Sequence, residues 1–203
     1  MIHLGRLHIN VSDLIVEIVS IVIAILLALT VNNWQQHLKD RALLRESLVN
    51  IRQEIQANNA ALQQEMRHHL AVAAGFDKLV ADNLQTERIS SKQVRAAFIQ
   101  SSPTGFHTVH GSSTAWQIAE SSHAVELMPY SERVTLTKLY SEQATHELAE
   151  QKVFDLFASP TPSSGNNFFY ATVGLSLVLG DVVGYEGYLA RDYAASLAQL
   201  NKV

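Results

Sequence analysis

Between Leu14 and Val31 the chain reads LIVEIVSIVIAILLALTV, a run in which Glu17 is the only charge. A helix rises about 1.5 Å per residue, so this run, extended by Asn32, Asn33 and Trp34, nearly matches the roughly 30 Å hydrocarbon layer of a bilayer. It predicts a transmembrane helix. Two other readings share the pattern. A fully buried core helix is also apolar all round, although uninterrupted Ile, Val and Leu without a polar face are uncommon in soluble helices. A cleaved signal peptide also lies near the amino terminus behind a basic residue, here Arg6. Yet the run outlasts a typical signal core and leaves through Asn32-Asn33-Trp34 rather than an A-x-A cleavage site. The expected organisation is a short N-terminal segment over 1–13, a membrane helix over 14–34 and a helical bundle domain over 35–203. Trp34, with Asn33 beside it, fits an anchor at the membrane interface.

Within the span, Asp13, Glu17, Ser20, Ala24, Ala28 and Val31 recur at intervals of three and four and therefore share one helix face. That face is small in its middle and acidic at one end. Small residues let membrane helices approach closely, so Glu17, Ser20, Ala24 and Ala28 form a candidate interface with a second copy or another membrane protein. A lone anchor with incidental alanines is the alternative. A carboxylate inside the hydrocarbon edge is costly unless protonated, paired or snorkelling, and near the helix start snorkelling is the cheapest escape for Glu17.

Composition excludes several functions. The formal net charge is -4, and the 15 Lys and Arg are dispersed, which speaks against nucleic acid as a partner. Zero cysteines exclude disulfides, a cysteine nucleophile, thiolate zinc and iron–sulfur clusters. With four prolines, nine glycines and 47% hydrophobic residues, the chain should be mostly helical.

The stretch ALTVNNWQQ, followed by a charged helix, resembles a family of small uncharacterised bacterial single-pass membrane proteins. Its members close an Ile/Val-rich helix with a small-Leu-x-Val-x-Asn-Trp pattern, occupied here by Ala28, Leu29, Val31, Asn33 and Trp34. Two further blocks echo the family: EIQAN, with Glu54 and Asn58, and TAWQIAESSHAVELM, which is similar to a Thr-Trp-x-x-Leu block before the next long helix. The chain departs from the family in its N-terminal tail, where only Arg6 is basic, and in placing Ala115 between Thr114 and Trp116. The resemblance implies an anchored protein of the bacterial inner membrane. It implies no activity.

Beyond Trp34 the sequence stays helical to about Leu84. Residues Leu44, Leu48, Ile51, Ile55, Asn58, Leu62, Met66, His69, Ala73, Phe76 and Val80 follow one another by fours and threes, the seam of a coiled coil or long bundle helix. If this helix continues from the span, the seam lies roughly opposite the Ser20/Ala24/Ala28 stripe, and the two serve different partners. Gln85–Ser91 reads as a turn, with Ser90 or Ser91 capping a short helix through Gln100. SSPTGFHTVHGSS, Ser101–Ser113, is a loop. A short helix near Ala115–Glu120 should turn Trp116 toward the core. Pro129 opens a helix to about Phe157, and Ser159–Asn167 is a linker. The final segment starts with an uncharged stretch, Phe168–Gly180, too short to cross a bilayer before Asp181 and Glu186. A buried bundle helix is the expectation there. The fold class is thus all-α: an N-terminal transmembrane helix continuing into a long helix that packs in an antiparallel helical bundle.

Catalytic patterns are scarce. The nine histidines include an H-x-x-H pair, His107 and His110, but no helix carries the His-Glu-x-x-His of zinc hydrolases. No G-x-S-x-G elbow surrounds Ser112 or Ser113. Glu147 and Glu150 read as part of a solvated helix face. The glycines after Phe168 lack a phosphate-loop pattern. No catalytic residue, cofactor or metal ligand is therefore assigned, and the expected role is membrane-anchored interaction or assembly, with the bilayer and itself or another membrane protein as partners. The alternative is an accessory or metal-dependent subunit using the His107/His110 loop near the membrane surface. Arg6 before the span against Lys39, Arg41 and Arg45 after it puts the bundle in the cytoplasm if the positive-inside rule is taken literally. The resemblance implies the periplasm, which is the side adopted here.

Overall fold

The computed structural model describes residues 11–158, 162 and 165–201. Among these the secondary structure is helical: α1 (Val11–Asn83), α2 (Ser91–Ser101), α3 (Thr114–Ser121), α4 (Ala124–Leu127), α5 (Tyr130–Ala158) and α6 (Phe169–Leu200). The chain divides into two compact units, Met1–Glu46 and Ser47–Val203. The N-terminal tail with Arg6 and most of the Ser159–Asn167 linker lie outside the described residues.

In the first unit, helix α1 exposes its apolar side chains all round, from Leu14 and Ile15 through Ile25, Leu26 and Leu29 to Trp34. Its hydroxyls turn inward on their own helix: Ser20 Oγ donates to the Val16 carbonyl at 2.7 Å and Thr30 Oγ1 to the Leu26 carbonyl at 2.8 Å. Leu44, still in this unit, is half-buried.

The second unit holds the core. Along α1, Leu48, Ile51, Ile55, Asn58, Leu62, His69, Ala73 and Phe76 are buried, with Met66 and Val80 half-buried. The fours-and-threes spacing thus corresponds to one inward face. Helix α1 contains no proline to interrupt it, and it ends where the Asn83 carbonyl accepts the amides of Thr86 and Glu87, with Glu87 at φ 47° reversing the chain. Ser90 then caps α2 in a reciprocal box with Gln93, as expected for an Ser-x-x-Gln start. Gly75 lets α2 come close: a Cβ there would stand 2.9 Å from Cβ of Ser101. An apolar cluster of Val72 and Phe76 from α1, Phe106 from the loop, Ala149 and Val153 from α5, and Leu175, Leu179 and Val182 from α6 closes this end. Phe157 joins the rings of Phe76 and Phe98, edge to face with the first at 5.7 Å and tilted to the second at 4.8 Å.

Helix directions follow from which residues bond. Helix α6 runs antiparallel to α1, since Arg52 donates to the Leu200 carbonyl, His69 meets Glu186 and Ser176 donates to Asp77. It is also antiparallel to α5, where Thr135 bonds Gln199 at 3.0 Å, Lys138 pairs with Asp192 at 2.9 Å and Tyr193 bonds Gln143 at 2.8 Å. Helices α1 and α5 are parallel, Glu54 meeting Tyr140 and Asn58 meeting Gln143. The expected antiparallel bundle is therefore corrected for this pair. The cause is the connection: after α2 the chain returns along α1 in extended form, with Gly105 beside His68, His107 beside His69, Ser112 beside Asn58 and Ala115 beside Glu54. From Glu54 to His68 a helix advances about 21 Å. The residues from Gly105 to Ala115, at about 3.3 Å each, cover that distance with slack, so α5 starts at the same end as the seam.

Ile51 and Ile55 have no exposed surface. Ile51→Asp buries a charge with no partner and is expected to lower stability by several kcal/mol, on the order of an uncompensated core carboxylate. Chemical denaturation of the full chain, followed by circular dichroism, measures this; an unchanged midpoint would mean that the seam is not the core.

Candidate functional site

The extended return segment lies against helices, and its backbone groups need partners there. The helices supply them as side chains. Asn58 reads Ser112 from both ends of its amide: Nδ2 donates to the Ser112 carbonyl at 2.7 Å and Oδ1 accepts the Ser112 amide at 2.9 Å. Asn58 Nδ2 also donates to Gln143 Oε1 at 3.0 Å, while Gln143 Nε2 donates to the Gly111 carbonyl at 2.8 Å. One turn away, the Glu54 carboxylate accepts the amides of Ala115 at 2.8 Å and Trp116 at 3.4 Å, together with the hydroxyls of Ser112 and Tyr140. Ser113, the residue before α3, makes no side-chain cap. Glu54 thus caps α3 from another helix, with its negative charge at the positive end of the helix dipole. The blocks EIQAN and TAW, far apart in sequence, interlock here. Trp116 stacks on Tyr140 at 5.3 Å and is buried. Burial first, then Glu54, pushes the Tyr140 hydroxyl well above its ordinary pKa.

Deeper in the same unit four ionisable side chains converge: His69 of α1, His146 and Glu150 of α5, and Glu186 of α6, all at most 1% exposed. His69 Nε2 donates to the His107 carbonyl at 2.7 Å and its Nδ1 faces Glu186 Oε1. A carbonyl can only accept, so Nε2 carries a proton, and hydrogen bonding from Nδ1 to Glu186 makes the ring an imidazolium. Burial alone would lower the His69 pKa, but the bond and charge of Glu186 outweigh it and hold His69 above its ordinary value. For Glu186 burial pushes upward and is outweighed by His146 and His69, leaving it below the usual carboxylate range. Glu150 is raised by burial, although both its oxygens accept the Val109 amide, at 3.0 and 3.2 Å. Phe106 stacks on His69 at 4.7 Å and covers it.

Several residues fall elsewhere than the sequence suggested. Glu150 is buried in the core, not on a solvated face; Glu147 beside it is half-buried. His107 and His110 do not come together on a common partner: His107 stacks on His68 at 4.9 Å and meets Glu65 at 3.2 Å, whereas His110 lies 3.0 Å from Thr108. The loop acts through its backbone, by the His107 carbonyl and the Val109 amide. Among the described residues, the three close enough for a metal ion are His69, Glu150 and Glu186. Sequence reading placed His69 in the seam but gave it no role, and it passed over His146. The signal was present as a histidine in a seam slot, a His146/Glu150 pair one turn apart, and Glu186 within an apolar helix. In the first unit Glu17, Ser20, Ala24, Ala28, Asn33 and Trp34 are exposed on α1.

Gly111 sits against the Gln143 amide. A Cβ at this position would lie 2.6 and 2.7 Å from Gln143 Nε2 and Oε1, which Asn58, Tyr193 and the Gly111 carbonyl already hold. Gly111→Ala is expected to destabilise the domain by about 1–3 kcal/mol through overpacking and loss of these bonds. Thermal melting of the full chain checks this, with Gly105→Ala as the comparison, where a Cβ meets nothing within 4 Å but φ is +92°.

Two helices, α1 and α6, contain stretches long and apolar enough to cross a membrane by length and composition, the stretch in α1 wholly unburied and that in α6 partly buried. No curated protein and no solved structure matches the chain. A family profile does, across residues 17–191, which takes in the apolar helix, the Glu54/Asn58 clamp and the buried His/Glu cluster. The chain belongs to this family, described as a family of unknown function (DUF6090).

Proposed function

We propose that this chain is a membrane-anchored helical assembly protein, held by a single span over 14–34 in the bacterial inner membrane with its bundle in the periplasm and without catalytic activity of its own. The observation that carries this reading is the first unit of the chain, where Ile, Val and Leu side chains are exposed on every face of α1 from Leu14 to Val31. Water does not stabilise such a surface, whereas hydrocarbon does. Ser20 and Thr30 support the same reading, since each satisfies its hydroxyl on its own helix, as side chains in lipid must. Helix α6 reads as a bundle helix: Leu175, Leu179, Val182, Glu186, Leu189 and Tyr193 are buried, and Asp192 pairs with Lys138.

The assembly role rests on the small face of the anchor. Ser20, Ala24 and Ala28 leave room for a neighbouring backbone that Leu or Ile would fill. Because the Ser20 hydroxyl is already bonded to Val16, association there works by close packing, with Glu17 satisfied at the same contact.

In carbonate extraction the full chain is expected to stay with membranes, and a C-terminal reporter to be active only in the periplasm. Deleting Met1–Trp34 should release a soluble helical protein and abolish the export of the reporter; retention of the truncated chain on membranes would overturn the single anchor. Ala24→Leu with Ala28→Leu should leave insertion intact, since hydrophobicity rises, but reduce the particle mass in nanodiscs and crosslinking from position 24. A native chain that is monomeric and crosslinks to nothing would remove the assembly role.

A further inference from the structure

The buried cluster has more donor atoms than it has bonds. His146 Nε2 lies 3.8 Å from Oε1 of both Glu150 and Glu186, too far for a hydrogen bond. Neither His146 Nε2 nor Glu186 Oε2 has a hydrogen-bond partner, and both side chains are buried. Buried polar atoms without a partner are rare in folded proteins unless something joins them. We propose that His69, His146, Glu150 and Glu186 bind one divalent transition-metal ion of the zinc class.

Donor chemistry supports this class of ion. Two imidazole nitrogens with two carboxylates suit zinc and its first-row neighbours, whereas calcium and magnesium select oxygen alone. Spacing supports it too: the donor atoms of His69, Glu150 and Glu186 lie within 4.8 Å of one another. Two donors on one tetrahedral zinc stand about 3.3 Å apart, so the 3.8 Å separations close by small side-chain rotations. His69 and Glu186, now in direct contact, would move apart to admit the ion between them.

The surroundings are those of oriented ligands. The His107 carbonyl takes the hydrogen of His69 Nε2, so the ion would bind at Nδ1 in place of the proton now shared with Glu186, which is released on binding, and the Val109 amide holds both oxygens of Glu150. Such outer contacts fix tautomer and orientation at metal sites. His146 and Glu150 share one face of α5, one turn apart, while α1 and α6 bring the other two ligands on regular helix. A cleft of about 430 Å³, bordered by Thr108, His110, Glu147 and Asp155, opens onto Glu150 and supplies an entry path.

The test uses the full chain in detergent, stripped with a chelator and titrated with Co²⁺, then with Zn²⁺ in competition. We expect one ion per chain, ligand-field absorption for Co²⁺, displacement by Zn²⁺ and a higher Tm for the loaded protein. His146→Phe removes a nitrogen that has no hydrogen bond, so the stripped variant should keep its helicity while binding weakens on the order of a hundredfold or more, at least as much as loss of an outer contact. Glu186→Gln serves as the second variant, and His107→Ala with His110→Ala should bind as the parent does. Absence of Co²⁺ and Zn²⁺ uptake by the parent chain would overturn the site whatever the variants do. So would undiminished binding by both His146→Phe and Glu186→Gln, loss confined to the His107/His110 variant, or Mg²⁺ or Ca²⁺ binding as tight as Zn²⁺.

Discussion

An extended segment laid between helices brings with it peptide groups that its own conformation does not satisfy, and most of the polar residues in this core answer to that one requirement. The segment from Pro103 to Ser113 has no helix or sheet to pair its amides and carbonyls. Asn58 and Gln143 serve Gly111 and Ser112, Glu150 serves Val109, and His69 serves His107. Asn58 and His69 stand on an α1 face otherwise made mostly of Ile, Leu and Phe, and Gln143 and Glu150 on an α5 face that they share with Leu136, Leu139, Ala149 and Val153. Replacing any one of them with a hydrophobe of similar size would leave a buried peptide group unpaired, which costs more than the lost bond itself.

The same requirement explains what could be read in advance. The apolar run, the helix starts at Ser90 and Pro129, and the buried face of α1 depend on local spacing and on caps within a few residues, and these are written contiguously. The seam slots of Asn58 and His69 were visible by period, but nothing nearby in the sequence says what an amide or imidazole does in a core. That depends on which part of the loop comes to rest against it. Glu150 shows the difficulty most clearly. On α5 it stands among Glu142, Glu147 and Lys152, and by composition that stretch is a solvated surface. Only the docking of Val109 turns it inward. The parallel course of α1 and α5 was hidden for the same reason, because helix direction was set by an extended stretch with no periodicity of its own.

Burying two carboxylates and two imidazoles together carries a desolvation cost that their mutual attraction offsets only in good geometry. Here part of the compensation is in place, through the His69–Glu186 pair and the Val109 amide, and part is not, at His146 Nε2. The apolar cluster of Val72, Phe76, Val153 and Leu179 lies beside these groups and keeps them from relaxing toward water. Stability in this unit is therefore shared between a hydrophobic end and a polar middle, with Ile51 and Ile55 sealing the other end.

The bond from Arg52 to the Leu200 carbonyl joins positions 148 residues apart. During synthesis the second wall of the α1 seam thus leaves the ribosome well after the seam itself. At about 5–20 residues per second, Ile51 and Ile55 wait roughly seven to thirty seconds for α6. Over that interval the seam has only the return segment and α5 against it, and the side that α6 covers stays open to a second nascent chain. The order of emergence leaves that side of α1 uncovered until α6 arrives.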